Sequence, residues 1–157
     1  MAYLKSKTLF FTTSPRTPLK MISEIQVLYN NFEGKKWNTN TQIEFIKKLA
    51  EESDFDGKGS EKDMAFSARD RINRAPKALG FVDLKPCIKL TEAGENFISG
   101  KRTEEVLLRQ LLKFQLPSPY HKEPEEFKGI FCVKPYLEIF RLIYELGTIS
   151  FDELMIF

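Results

Sequence analysis

Apolar positions recur at helical spacing along most of the chain. Ile22, Ile25, Leu28, Tyr29 and Phe32 share one side of a 3.6-residue helix, which predicts a first helix over about 19–33, ended by Gly34. "WNTNTQIEFIKKLAEES" predicts a second, capped by Asn40 or Thr41 and burying Ile43, Ile46, Leu49 and Ala50. A third starts at Ser60 or Glu61, with Ala65, Ala68, Ile72, Ala75 and Leu79 as its inward stripe. Pro76 falls on the last turn of that helix, where it removes a donor and kinks or tightens the turn; Gly80 stops it. The period then shortens. Phe81, Val82 and Leu84 predict a strand, Lys85–Pro86 a turn, and Ile88 and Leu90 flanking Lys89 a second strand. Thr91 caps a further helix over "TEAGENFI".

Three helices, a hairpin and a helix, in that order, describe a winged helix-turn-helix. "KRTEEVLLRQLLKF" adds an amphipathic helix with Thr103 as its cap, and the Pro-rich "QLPSPYHKEPEEFKG" reads as a linker. "KPYLEIFRLIYELG" predicts a helix with Leu137, Phe140, Ile143 and Tyr144 inward and Gly147 at its end. "TISFDELMIF" starts another, capped by Ser150. The expected fold is mainly α with a small β-hairpin: a basic arm over 1–18, a winged-helix-like domain over 19–116, a linker over 117–134, and the helical start of a second similar subdomain over 135–157. Two helices without a hairpin read as the front half of such a module in a fragment, or as a C-terminal helix docked on the first module.

Composition changes this picture little. Hydrophobic residues make up 42%, with 14 Phe, enough for a core without covalent staples. The net charge of +2 hides segregation: 1–20 carry Lys5, Lys7, Arg16 and Lys20 and no acid, whereas "EESDFDGKGSEKD" is mostly acidic. No apolar run is long enough to span a membrane. Cys87 and Cys132 stand far apart and no signal-peptide pattern opens the chain, so a cytoplasmic protein with reduced thiols is expected.

The candidate chemistry lies in "ARDRINRAPK". Arg69, Arg71, Asn73, Arg74 and Lys77 fall on or beside the face of the third helix opposite its apolar stripe, together with Phe66 and Asp70. A recognition helix carries such side chains into the major groove, where Arg reads guanine and Asn reads adenine, while Arg and Lys also hold phosphates. The competing reading is a solvated helix with i,i+4 pairs such as Asp70–Arg74. Arg16 and Lys20 in the arm, and Lys85 and Lys89 on the hairpin, are further candidates for backbone contact. Other chemistry fits poorly. His121 is the only histidine, the cysteines lack zinc spacing, and "DFDGKGSEKD" puts Ala65 where a calcium loop needs Glu. Asp83-Leu84-Lys85 and Glu126-Phe127-Lys128 imitate a nuclease acid-x-Lys pair without a sheet to organise them.

Three stretches, "TSPRTPLKM…FEGKKWN…TQIEFIKKL", "ARDRINRAPKALGFVDLKPCIKLTEAGENFI" and "RTEEVLLRQLLKFQLPSPYHK", resemble the N-terminal part of type IIS restriction endonucleases of the AlwI kind and of related nicking endonucleases. The resemblance covers roughly residues 12–122. It implies a recognition region of winged-helix-like subdomains that binds a short asymmetric site in double-stranded DNA. It also implies a Mg²⁺-dependent nuclease domain elsewhere in the parent enzyme, and a cognate methyltransferase acting on the same site. No catalytic centre or cofactor is expected within these residues. The alternatives are a winged-helix transcription regulator, which would dimerise on a palindrome, and a winged-helix protein-interaction module.

Overall fold

The computed structural model describes residues 17–53, 55, 59–116 and 132–156. A single 3-10 turn, Pro18–Lys20, leads into α1 (Met21–Phe32). Gly34, at φ 77°, then supplies the left-handed turn that reverses the chain. Next come α2 (Thr39–Glu52), α3 (Glu61–Asn73) and the one-turn α4 (Ala75–Ala78), then β1 (Val82–Asp83) and β2 (Lys89–Leu90). The described chain finishes with α5 (Glu92–Ile98), α6 (Thr103–Lys113), α7 (Pro135–Leu146) and α8 (Phe151–Ile156). It is a helix-rich fold with one small antiparallel sheet.

The expected elements form, with shifted ends. Asn38, not Asn40 or Thr41, caps α2: its Oδ1 accepts from the Thr41 amide at 3.0 Å. The third helix does not run to Leu79. It stops at Asn73, Arg74 leaves helical geometry at ψ −100°, and a separate turn opens with Pro76 near its start. Proline has no N–H for the Ile72 carbonyl and its ring crowds that oxygen, so the helix breaks rather than bends. Ser60 and Asp63 close a capping box at the other end of α3. Thr103 is the first residue of α6 and not its cap; Arg102 holds the cap position at φ 59°, and the Thr103 hydroxyl donates to the Phe97 carbonyl at 3.4 Å. Thr91 and Ser150 cap α5 and α8 as predicted.

The core gathers where α1, α2, α3, the hairpin and α5 meet. Phe45, Phe81 and Phe97 are fully buried, each worth about 1.5–3 kcal/mol relative to exposure. Phe81 and Phe97 stack with centroids 4.4 Å apart, and Phe32 and Trp37 meet Phe45 edge-on. In the hairpin Val82 faces Leu90 and Asp83 faces Lys89. Two further rungs tie it to the α1–α2 turn: the Gly34 amide donates to the Ile88 carbonyl at 2.9 Å, and the Ile88 amide donates to the Lys35 carbonyl at 2.8 Å. The Lys85–Pro86 peptide between the strands is cis.

An isolated bridge between Leu116 and Val133 brings α7 beside α6, where Tyr136 meets Phe114 edge-on at 5.6 Å. The inward stripe expected of α7 is largely outward. Phe140 is 49% and Tyr144 80% exposed, and Ile143 is exposed too. α7 meets α6 through Tyr136, while Phe140, Ile143 and Tyr144 of the stripe stay exposed. Cys87 and Cys132 are both free, and among the described residues no helix is long and apolar enough to cross a membrane.

Candidate nucleic-acid interface

The third helix does present Phe66, 62% exposed, but its cationic side chains do not stand free. Arg71 pairs with Glu24 of α1, its side chain 28% exposed against 7% for the glutamate, and its guanidinium lies over the Phe55 ring at 4.0 Å from the centroid. Arg74 pairs with Asp70 at 2.6 Å with its side chain 21% exposed. Arg69 lies at the surface yet donates to Oε1 of the buried Gln42 at 3.0 Å. Asn73 Oδ1 accepts from the Trp37 indole at 2.8 Å. The guanidinium-rich outward face expected from the sequence is therefore corrected. Arg71 and Arg74 are half-buried braces, and Arg69 and Asn73 cross-link α3 to the start of α2. The i,i+4 alternative, Asp70–Arg74, is the geometry found.

Glu24 itself is buried, at 5% exposure. Burial pushes its carboxyl above the usual glutamate range, and the opposing pull of Arg71 does not cancel that. Its Oε2 has no hydrogen-bond partner among the described residues.

The lysines behave differently. Lys36 from the α1–α2 turn, Lys77 from α4 and Lys85 from the hairpin converge on one cavity of about 320 Å³, which Trp37, Asn38 and Asn73 also line. No carboxylate lines it, and none of the three lysines has an ion-pair partner among the described residues. The structure thus brings together three of the sequence-predicted residues, Asn73, Lys77 and Lys85. Lys89 is exposed on β2 and Lys20 at the entry to α1, both away from the cavity. Arg16 lies outside the described residues, as does most of the 117–134 segment expected to be a linker.

Sequence reasoning missed Lys36, Trp37 and Asn38. A signal was present: "GKKWN" puts two lysines, an indole and an amide in a turn between two amphipathic helices. Among the described residues no group of three or more His, Cys, Asp or Glu side chains is placed to hold a metal ion. The chain matches no family model and no curated protein.

Proposed function

We propose that this chain is a winged-helix-like module for sequence-specific recognition of double-stranded DNA, the binding part of a type IIS restriction endonuclease whose nuclease centre lies outside it. The observation that carries the reading is the convergence of Lys36, Lys77 and Lys85, from three separate elements, on one edge without a carboxylate among them. A one-signed edge on a nearly neutral molecule suits a polyanion, which gains by releasing its counterions there. The order of elements supports the same reading. So do the bonds from Gly34 and Lys35 to Ile88, which tie the hairpin to the turn between the first two helices, where a winged helix has its first strand. The resemblance over residues 12–122 supports the type IIS assignment and, with it, a cytoplasmic setting, a cognate methyltransferase and Mg²⁺ chemistry in the parent enzyme.

Phosphate contact falls to the lysine edge in this reading. Base readout falls to what α3 still offers outward: the remaining donors of Arg69 and the Phe66 ring. Selection of bound duplexes from a random pool tests it. The expected product is a short asymmetric site, with affinity falling roughly 10³-fold between about 50 and 200 mM salt for some six phosphate contacts. No cleavage of plasmid is expected on adding Mg²⁺. Palindromic products point to a dimeric regulator instead, and a pool that stays random defeats the reading.

One observation favours a second role. The outward Phe140, Tyr144, Phe151 and Met155 of α7 and α8 suit a helix pair that packs against further protein, as the start of a second subdomain would.

A further inference from the structure

We infer that the cavity at the foot of the hairpin is a seat for a phosphate group, charged by Lys36, Lys77 and Lys85 and oriented by the Asn73 amide. The side-chain inventory of the cavity decides the chemistry. An indole N–H can only donate, so the Trp37 contact fixes the Asn73 oxygen against the ring and turns its NH₂ away from it. That NH₂ has no partner among the described residues. Asn38 is handled the same way: its oxygen accepts from the Thr41 amide at 3.0 Å and from the Thr41 hydroxyl at 3.1 Å, which leaves its NH₂ over. With three lysines added, the polar side chains offer mostly donors: the Asn38 oxygen already accepts twice and the Asn73 oxygen once. Such a site disfavours cations and favours a ligand that accepts.

Among acceptor-only groups, phosphate fits better than carboxylate. The lysines come from three separate elements, the α1–α2 turn, α4 and the hairpin. A tetrahedral phosphate spreads its oxygens out of any one plane, four in the free ion and two terminal plus two ester oxygens in a duplex backbone, whereas a carboxylate has two in one plane. The backbone beneath the lysines is fixed before any ligand arrives, by the Ile88 rungs to Gly34 and Lys35 and by the fully buried Pro76 beside Lys77. Binding then orders the three lysine side chains but not the backbone beneath them.

Two sources supply this group: a duplex backbone, which rests on the function proposed above, and free phosphate. Trp37 is the only tryptophan in the chain, so its emission reports on the seat. The full chain is titrated with a short mixed-sequence duplex and, separately, with inorganic phosphate. The titrations are repeated on Lys36→Gln, Lys77→Gln, Lys85→Gln and the triple variant; glutamine keeps much of the stem while removing the charge. Lys77→Arg and the remote Lys101→Gln serve as charge-retaining and surface controls.

Duplex is expected to shift Trp37 emission in the parent. Each cavity lysine removed is expected to lower the salt slope of duplex binding by about 1, uniformly across sequences. Lys101→Gln is expected to stay within twofold of the parent, and Lys77→Arg to keep the parent's salt slope. If phosphate moves Trp37 in the parent and not in the triple variant while no duplex binds, the seat stands and the duplex reading falls. The seat is overturned if the triple variant binds duplex with the parent's affinity and slope, or if it loses duplex binding while Trp37 in the parent answers neither ligand. In that last case the lysines act only through their general field.

Discussion

At Glu24, burial and a neighbouring cation pull the carboxyl in opposite directions. Burial is the larger effect and raises it; Arg71 lowers it, Asp70 adds to the rise and Lys20 opposes it. The folded protein therefore holds this proton more tightly than the unfolded chain does. Stability contributed by a raised carboxyl is fully present below the ordinary glutamate range and is lost as pH rises through the folded value. Urea unfolding of the parent and of Glu24→Gln across that window should show the parent losing stability relative to the variant as pH rises. A difference that stays flat would defeat the assignment. Asp63 and Glu153, both lowered by hydrogen bonds from serines, lose stability in the opposite direction, as pH falls. They are common to both proteins and cancel in the subtraction. The same pair shows why the arginines were misjudged from sequence. Asp70–Arg74 is a local i,i+4 pattern and can be read directly, whereas Glu24 is 47 positions from Arg71 and nothing near either residue announces the other.

Elements were legible where an amphipathic stripe had a partner surface. α1, α3 and the hairpin follow the apolar period because each buries most of its stripe in one core, whereas α2 turns Phe45, Ile46 and Leu49 inward and leaves the expected Ile43 and Ala50 half-buried. Ends were less legible. The capping oxygen of α2 comes from Asn38, one position before the first helical residue, in a run with several equally suitable side chains. α7 carries the same kind of stripe without a cover, so periodicity placed the helix correctly and its face wrongly. Gly94 on α5 illustrates how packing overrides local preference. By helix propensity alone Gly94→Ala gains about 1 kcal/mol. Yet a Cβ there would lie 2.1 Å from the Phe81 carbonyl oxygen, a backbone atom that cannot rotate aside. The entry to α5 is also held down, by the Thr91 hydroxyl donating to the Gly80 carbonyl at 2.6 Å and by the Phe81–Phe97 stack. Gly94→Ala should therefore destabilise the fold, by about 3 kcal/mol. A urea midpoint at or above the parent's would show that α5 can move off the hairpin at little cost.

Across the whole molecule, a net charge of +2 says little about where an anion would settle. What matters is how the charges are shared out. The arginines of α3 are committed within the fold, and the lysines beside the hairpin are not. That division depends on three-dimensional neighbours, which is why the pairing of Arg71 and the Arg69–Gln42 bond could not be read from the sequence. The bonds joining Gly34 and Lys35 to Ile88 carry one more consequence. A β-turn arm stitched at its root to the preceding helical corner has no independent swing; it opens only when that corner opens. Amide hydrogen exchange should then find Gly34 and Ile88 released together, with equal opening free energies. If Ile88 exchanged much faster than Gly34, the arm would be a flap hinged at its own base.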